Sequence, residues 1–109
     1  MHGDIDNLTQ FIARNFQFDE STYPELAGAS DEKRLAFGIK HIALHFSNTA
    51  GKIAASTDKL DHGKELQREE LRENTIKSLI NTLRLAELMG VKEADIIKAL
   101  EEKYGESIE

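Results

Sequence analysis

His41 and His45 stand four residues apart. On a helix that spacing puts both imidazoles on one face and lets them share a metal ion, for which zinc is the natural choice. A shared ion needs further ligands. The chain has no cysteine, and no Asp or Glu lies within a helical turn of either histidine. His62 falls in a charged connection and His2 at the start of the sequence. The pair therefore reads as two polar-face or interface histidines rather than a metal set. Glu70-Leu71-Arg72-Glu73, with Glu69 beside it, is a second constellation, because carboxylates three residues apart suit a hard cation such as Mg²⁺. Its plainer reading is a solvated face laced by pairs such as Glu69–Arg72 and Glu73–Lys77, each worth about 0.2–0.5 kcal/mol. Residues 33–57 carry Lys33, Arg34, Lys40 and Lys52 without one acid, inside a chain of net charge −6. Such local positive charge marks a place for an anion or an acidic partner. Lys52 has no carboxylate within a turn of its own helix, whereas Lys77 has Glu73 at i−4. The seven glycines are scattered and form no phosphate loop. No spacing singles out a nucleophile and its base.

Four helices must position these residues. Ile5, Leu8, Ile12 and Phe16 recur at helical spacing over 4–16, with Asp4 or Asp6 as the expected cap. Pro24 places a loop after that segment. Ser30, followed by Asp31 and Glu32, is the expected start of the second helix. Leu35, Ile39, Ile42, Phe46 and Ile53 mark its apolar stripe, which fades near 56–57. Ala36, Ala43 and Ala50 form a small-residue ridge beside the stripe, and Gly51 suggests a close backbone contact. Residues 57–63 read as a charged connection. A third helix is expected over 64–89, charged at first and then apolar on more than one side, so that its second half should sit deep in a bundle. Gly90 is its expected stop, with Val91 folding back. A last short helix covers 93–104. Alternation of the strand kind never persists, so the fold class is all-α: one domain, 1–109, with two long central helices and short terminal ones.

Composition narrows the function classes. The 109 residues suffice for one core, and the 6% aromatic content with a single proline suits helices. Fourteen Lys and Arg against twenty Asp and Glu argue against a phosphate-backbone binder, so no nucleic acid is expected. No apolar run approaches the roughly 20 residues of a membrane span, and Met1-His2-Gly3-Asp4 does not open a signal peptide. The expectation is a cytoplasmic protein that does not engage membranes.

The stretch Leu83-Arg84-Leu85-Ala86-Glu87-Leu88-Met89-Gly90-Val91 resembles the MazG-like all-α nucleoside triphosphate pyrophosphohydrolases. In that family a long helix ends in a similar Arg-Leu-Ala-acid-Leu-x-Gly run. Residues 98–105 resemble its Lys- and Tyr-containing tail, and Ala50-Gly51-Lys52-Ile53-Ala54 its Gly-Glu-Leu-Ala segment. The likeness spans about residues 30–105. It implies a MazG-like helical bundle, a homodimer, and Mg²⁺ held by Glu-x-x-Glu on one long helix and Glu-x-x-Asp on the next. In this chain those registers hold Thr49-Ala50-Gly51-Lys52 and Asn74-Thr75-Ile76-Lys77. All four acids are absent. The loss holds in any register, because no carboxylate occurs between Glu32 and Asp58 or between Glu73 and Glu87.

The resemblance thus implies the fold without the catalysis. The expected protein has no catalytic residue, metal or cofactor. Its former active-site cleft would be lined by His45, Asn48, Thr49 and Lys52 on one helix and Asn74, Lys77 and Asn81 on the next, and would be open to a nucleotide or other small anion. Lys52 and Lys77 would face one another there. Two alternatives stand beside this reading. One is an active Mg²⁺-dependent pyrophosphohydrolase using Glu69, Glu70 and Glu73. The other is a helical interaction module.

Overall fold

The computed structural model describes residues 3–108. Within them the chain is all-helical: α1 is Asp4–Asn15, α2 is Asp31–Asp61, α3 is Arg68–Met89 and α4 is Glu93–Tyr104. A single 3₁₀ turn, Pro24–Leu26, interrupts the loop before α2. The long α2 and α3 form an antiparallel hairpin. Gly38 meets Leu88 at one end, and Lys59 meets Glu70 at the other.

The caps explain most boundaries. Ser30 opens α2, its hydroxyl accepting from the Lys33 N–H at 3.2 Å. Gly90, at φ 68°, closes α3, and the Val91 N–H turns back to the Ala86 carbonyl at 2.8 Å. Neither Asp4 nor Asp6 caps α1, since Gly3 holds that position. Asp6 instead accepts from the Glu93 backbone N–H at 2.9 Å, which satisfies an orphan donor at the start of α4. The Gly3 N–H donates to the Glu93 carboxylate, so the two short helices are tied at their N-termini.

Two boundaries differ from the sequence reading. Helix α2 runs on to Asp61, through the segment expected to be a connection, and α3 begins at Arg68 rather than near 64. Segment 57–61 lacks Gly and Pro, and nothing in it stops a helix already propagating.

The packed interior is small. Ile12, Leu26 and Ile42 are the large apolar side chains buried among the described residues, and only Leu26 and Ile42 are fully so. Along the outer half of the hairpin the buried seam is polar: Thr49 and Ser56 on α2, Asn74 and Asn81 on α3. Three of these are satisfied within their own helix. Thr49 donates to the His45 carbonyl at 2.9 Å, Ser56 to Lys52 at 3.3 Å and Asn74 to Glu70 at 2.9 Å.

The second half of α3 is not deep in a bundle, contrary to its apolar width. Helix α1 covers its C-terminal turns, where Arg84 lies against Phe16. Nearer the middle, Ile76 is 44% exposed and Leu79 59%. Ala36, Ala43 and Ala50 are exposed as well, and nothing lies within 4 Å of a Cβ built on Gly51. The close approach occurs at Gly38 instead, where such a Cβ would stand 3.0 Å from the Phe18 ring and 3.1 Å from Leu88.

The chain is extended, with a radius of gyration of 17.2 Å, where a compact chain of this length has about 13 Å. No helix among the described residues is long and apolar enough to cross a membrane.

Candidate functional site

A cleft of about 240 Å³ opens between α2 and α3. Helix α2 presents His45, Asn48, Thr49 and Lys52 to it at three- and four-residue steps, one flank of the helix. Helix α3 presents Lys77, Ile80 and Asn81. Six of the seven expected cleft residues therefore come together. Asn74 does not: it is buried in the seam with its amide committed to the Glu70 carbonyl. Ile80 takes a place that no polar pattern in the sequence marks.

The donor set contains no carboxylate. Lys52 makes no ion pair with any described residue. Lys77 is paired with Glu73 on its own helix at 3.2 Å, both half-exposed, so this lysine has the plain surface partner that the sequence offers it. The Asn81 side chain is in the seam, only 6% exposed, and bonds to no other described side chain or backbone group. The cleft is thus lined by ammonium, imidazole, hydroxyl and amide groups, with one acid at its edge.

The acids of the alternative metal reading diverge. Glu70 reaches Lys59 at 3.7 Å, and Glu73 takes Lys77. Glu69 lies in a different groove, with Leu66, Arg68, Leu71, Arg72, Thr75 and Ile76. The expected Glu69–Arg72 pair is not formed among the described residues. No cluster of three or more His, Asp or Glu able to hold a metal occurs among them either.

A second constellation sits at the His45 end of the cleft. The Nε2 atoms of His41 and His45 are 3.1 Å apart. The Tyr23 hydroxyl lies 3.4 Å from the same nitrogen of His41. The loop before α2 delivers Tyr23. Asp19 organises that loop, accepting from Ser21 Oγ at 2.8 Å and from the Thr22 N–H at 3.0 Å, while the Tyr23 N–H donates to the Asp19 carbonyl at 2.8 Å. These hydrogen bonds, the Thr22 backbone first, hold the Asp19 carboxyl below its ordinary pKa.

Aromatic rings wall His41. Phe18, Tyr23 and Phe37 lie 5.6, 5.3 and 6.1 Å from it, centre to centre. Burial first, then the charges of His45 and Arg84, push the His41 pKa below its usual value. Arg84 itself stacks on Phe16 and Phe18 at 5.0 and 5.3 Å, and its buried Nε has no hydrogen-bond partner. Nothing in the sequence pattern joins Tyr23 to histidines 18 and 22 residues away. The i, i+4 histidine spacing was visible, but the phenol comes from tertiary structure. No protein-family model, curated protein or solved structure matches this chain.

Proposed function

We propose that this chain is a non-catalytic helical protein of MazG-like architecture that binds a small anion, a phosphate or the phosphate end of a nucleotide, in the cleft between α2 and α3. One observation carries the reading. Lys52, Lys77, His45, Asn48 and Asn81 line a single cleft that includes no carboxylate. Cationic and neutral donors without a resident acid suit phosphate oxygens. They do not suit Mg²⁺, which takes oxygen ligands and usually one or two carboxylates. The cleft's size, about 240 Å³, matches a phosphate or diphosphate better than a whole buried nucleotide, since pockets for drug-sized ligands run to roughly 300–1,000 Å³.

The proposal includes a second copy of the chain as partner. The chain exposes 8098 Å², whereas a compact monomer of 12.3 kDa would expose about 6,100 Å². The excess of about 2,000 Å² per chain is what an obligate dimer buries on each side. The bare apolar residues Ile76 and Leu79 stand on the flank of α3 opposite its seam with α2, next to the apolar groove at Leu66 and Leu71.

A melting-temperature screen tests the reading. Phosphate, pyrophosphate and nucleoside triphosphates should each stabilise the protein without Mg²⁺, and Mg²⁺ should add nothing. Turnover of a triphosphate to its monophosphate, abolished by chelator and by Glu70→Gln with Glu73→Gln, would replace this reading with the pyrophosphohydrolase one. No shift with any anion would leave the helical interaction module.

A further inference from the structure

The geometry points to a Zn²⁺ site at the junction of His41, His45 and Tyr23, on the rim of the cleft, with which it shares His45. Donor atoms 2.0–2.1 Å from a tetrahedral zinc are separated by about 3.3–3.4 Å. The two Nε2 atoms are 3.1 Å apart, and Tyr23 Oη is 3.4 Å from His41 Nε2. These two edges match a coordination sphere to within a few tenths of an ångström.

The scaffold around these donors is built. Both histidines stand on one uninterrupted helix. Tyr23 is fixed by the turn that Asp19 organises and by stacking on Phe18 at 5.5 Å. His45 is exposed, which leaves the fourth position to water. Imidazole selects zinc-type ions over Mg²⁺, and the third donor is a phenol rather than an acid.

The protons balance. In the empty site one Nε2 must carry the hydrogen that joins the two rings. Zinc needs both Nε2 lone pairs, so that ring moves its hydrogen to Nδ1 and no proton is lost from the pair. Tyr23 releases its phenolic proton to solvent and binds as phenolate. Its negative charge offsets the Arg84 guanidinium, which otherwise opposes a dication near His41.

The test is titration of the full chain with ZnCl₂ and, separately, MgCl₂ in phosphate-free buffer, followed by calorimetry, imidazole NMR and ultraviolet difference absorption. One Zn²⁺ per chain should bind at micromolar concentration. The His41 and His45 resonances should move while those of His62 and His2 stay, and a tyrosinate band should appear that Tyr23→Phe removes. His45→Gln, at an exposed position, should weaken binding at least tenfold, and Tyr23→Phe several-fold. Equal affinity in either variant, shifts confined to His2 or His62, or equal binding of Mg²⁺ would overturn the site. The wild-type NMR arm decides without any variant having to fold.

Discussion

The Phe18 ring lies against α2 where Gly38 has no side chain, 3.0 Å from the place a Cβ would occupy, with Leu88 of α3 at 3.1 Å on the same spot. This glycine lets the loop, α2 and α3 meet, and the loop then carries Tyr23 to His41. Gly38→Ala gains about 1 kcal/mol of helix propensity but overpacks the contact at a cost of about 1–3 kcal/mol. The expected result is a net loss of about 1 kcal/mol in urea unfolding. Gly51→Ala, with open space around it, should gain up to about 1 kcal/mol. The opposite signs make the pair a test of the packing, and both measurements belong at one protein concentration because the proposed dimer would make stability depend on it.

Acid should weaken the fold through His41. Its folded-state pKa lies below the ordinary 6.5, with burial the main cause and the charges of His45 and Arg84 adding to it. The unfolded chain therefore binds more protons below pH 6.5. The stabilising contribution is fully present above that pH and is lost as the pH falls from 6.5 toward the folded-state pKa. His41→Gln should flatten this part of the stability profile relative to the wild type. Equal slopes in the two proteins between pH 7 and pH 5 would count against it.

The helices were legible because each signal is local. Ser30 as a cap, Gly90 as a stop and the i, i+3, i+4 apolar rhythm are settled within one or two turns. The depth of α3 was not legible. Its broad apolar surface reads as burial, but burial depends on what covers the helix, and α1 reaches its C-terminal turns and not Ile76 or Leu79. Six of the cleft residues were legible because the MazG-like resemblance supplied a register, and two facing helices then fix which flanks meet. Asn74 shares the seam face with Asn81 but lies two turns farther along α3, past the Lys77 edge of the cleft, with its amide on the Glu70 carbonyl. Tyr23 and the Phe18–Gly38 contact were illegible, since a loop's path carries no periodicity.

The bare flank of α3 should close on a second copy. Light scattering should give about 25 kDa, twice the 12.3 kDa of one chain, with two-fold symmetry the expected closure. Ile76→Glu with Leu79→Glu puts charge on that flank without touching the α2 seam, and should either lower the mass to that of one chain or unfold the protein at micromolar concentration. A wild-type mass of 12.3 kDa across the micromolar range would refute the dimer.

Lys52 and Lys77 are the residues on which anion binding should turn. Two ammonium groups on one small cleft repel. Glu73 already neutralises Lys77 at 3.2 Å, while Lys52 has no acid partner among the described residues. Lys52 is therefore the stronger attractor, and Lys77 must share its carboxylate with an incoming anion. Lys52→Ala alone should remove most of the phosphate-induced rise in melting temperature, Lys77→Ala a smaller part, and the double variant all of it. Both side chains are exposed, so neither truncation should cost more than about 0.5 kcal/mol of stability without ligand. Glu73→Gln offers the converse case. It frees the Lys77 ammonium and removes the acid nearest the bound anion, so phosphate should stabilise this variant more than the wild type. An undiminished phosphate shift in the double lysine variant would place the anion elsewhere on the surface and end the cleft reading.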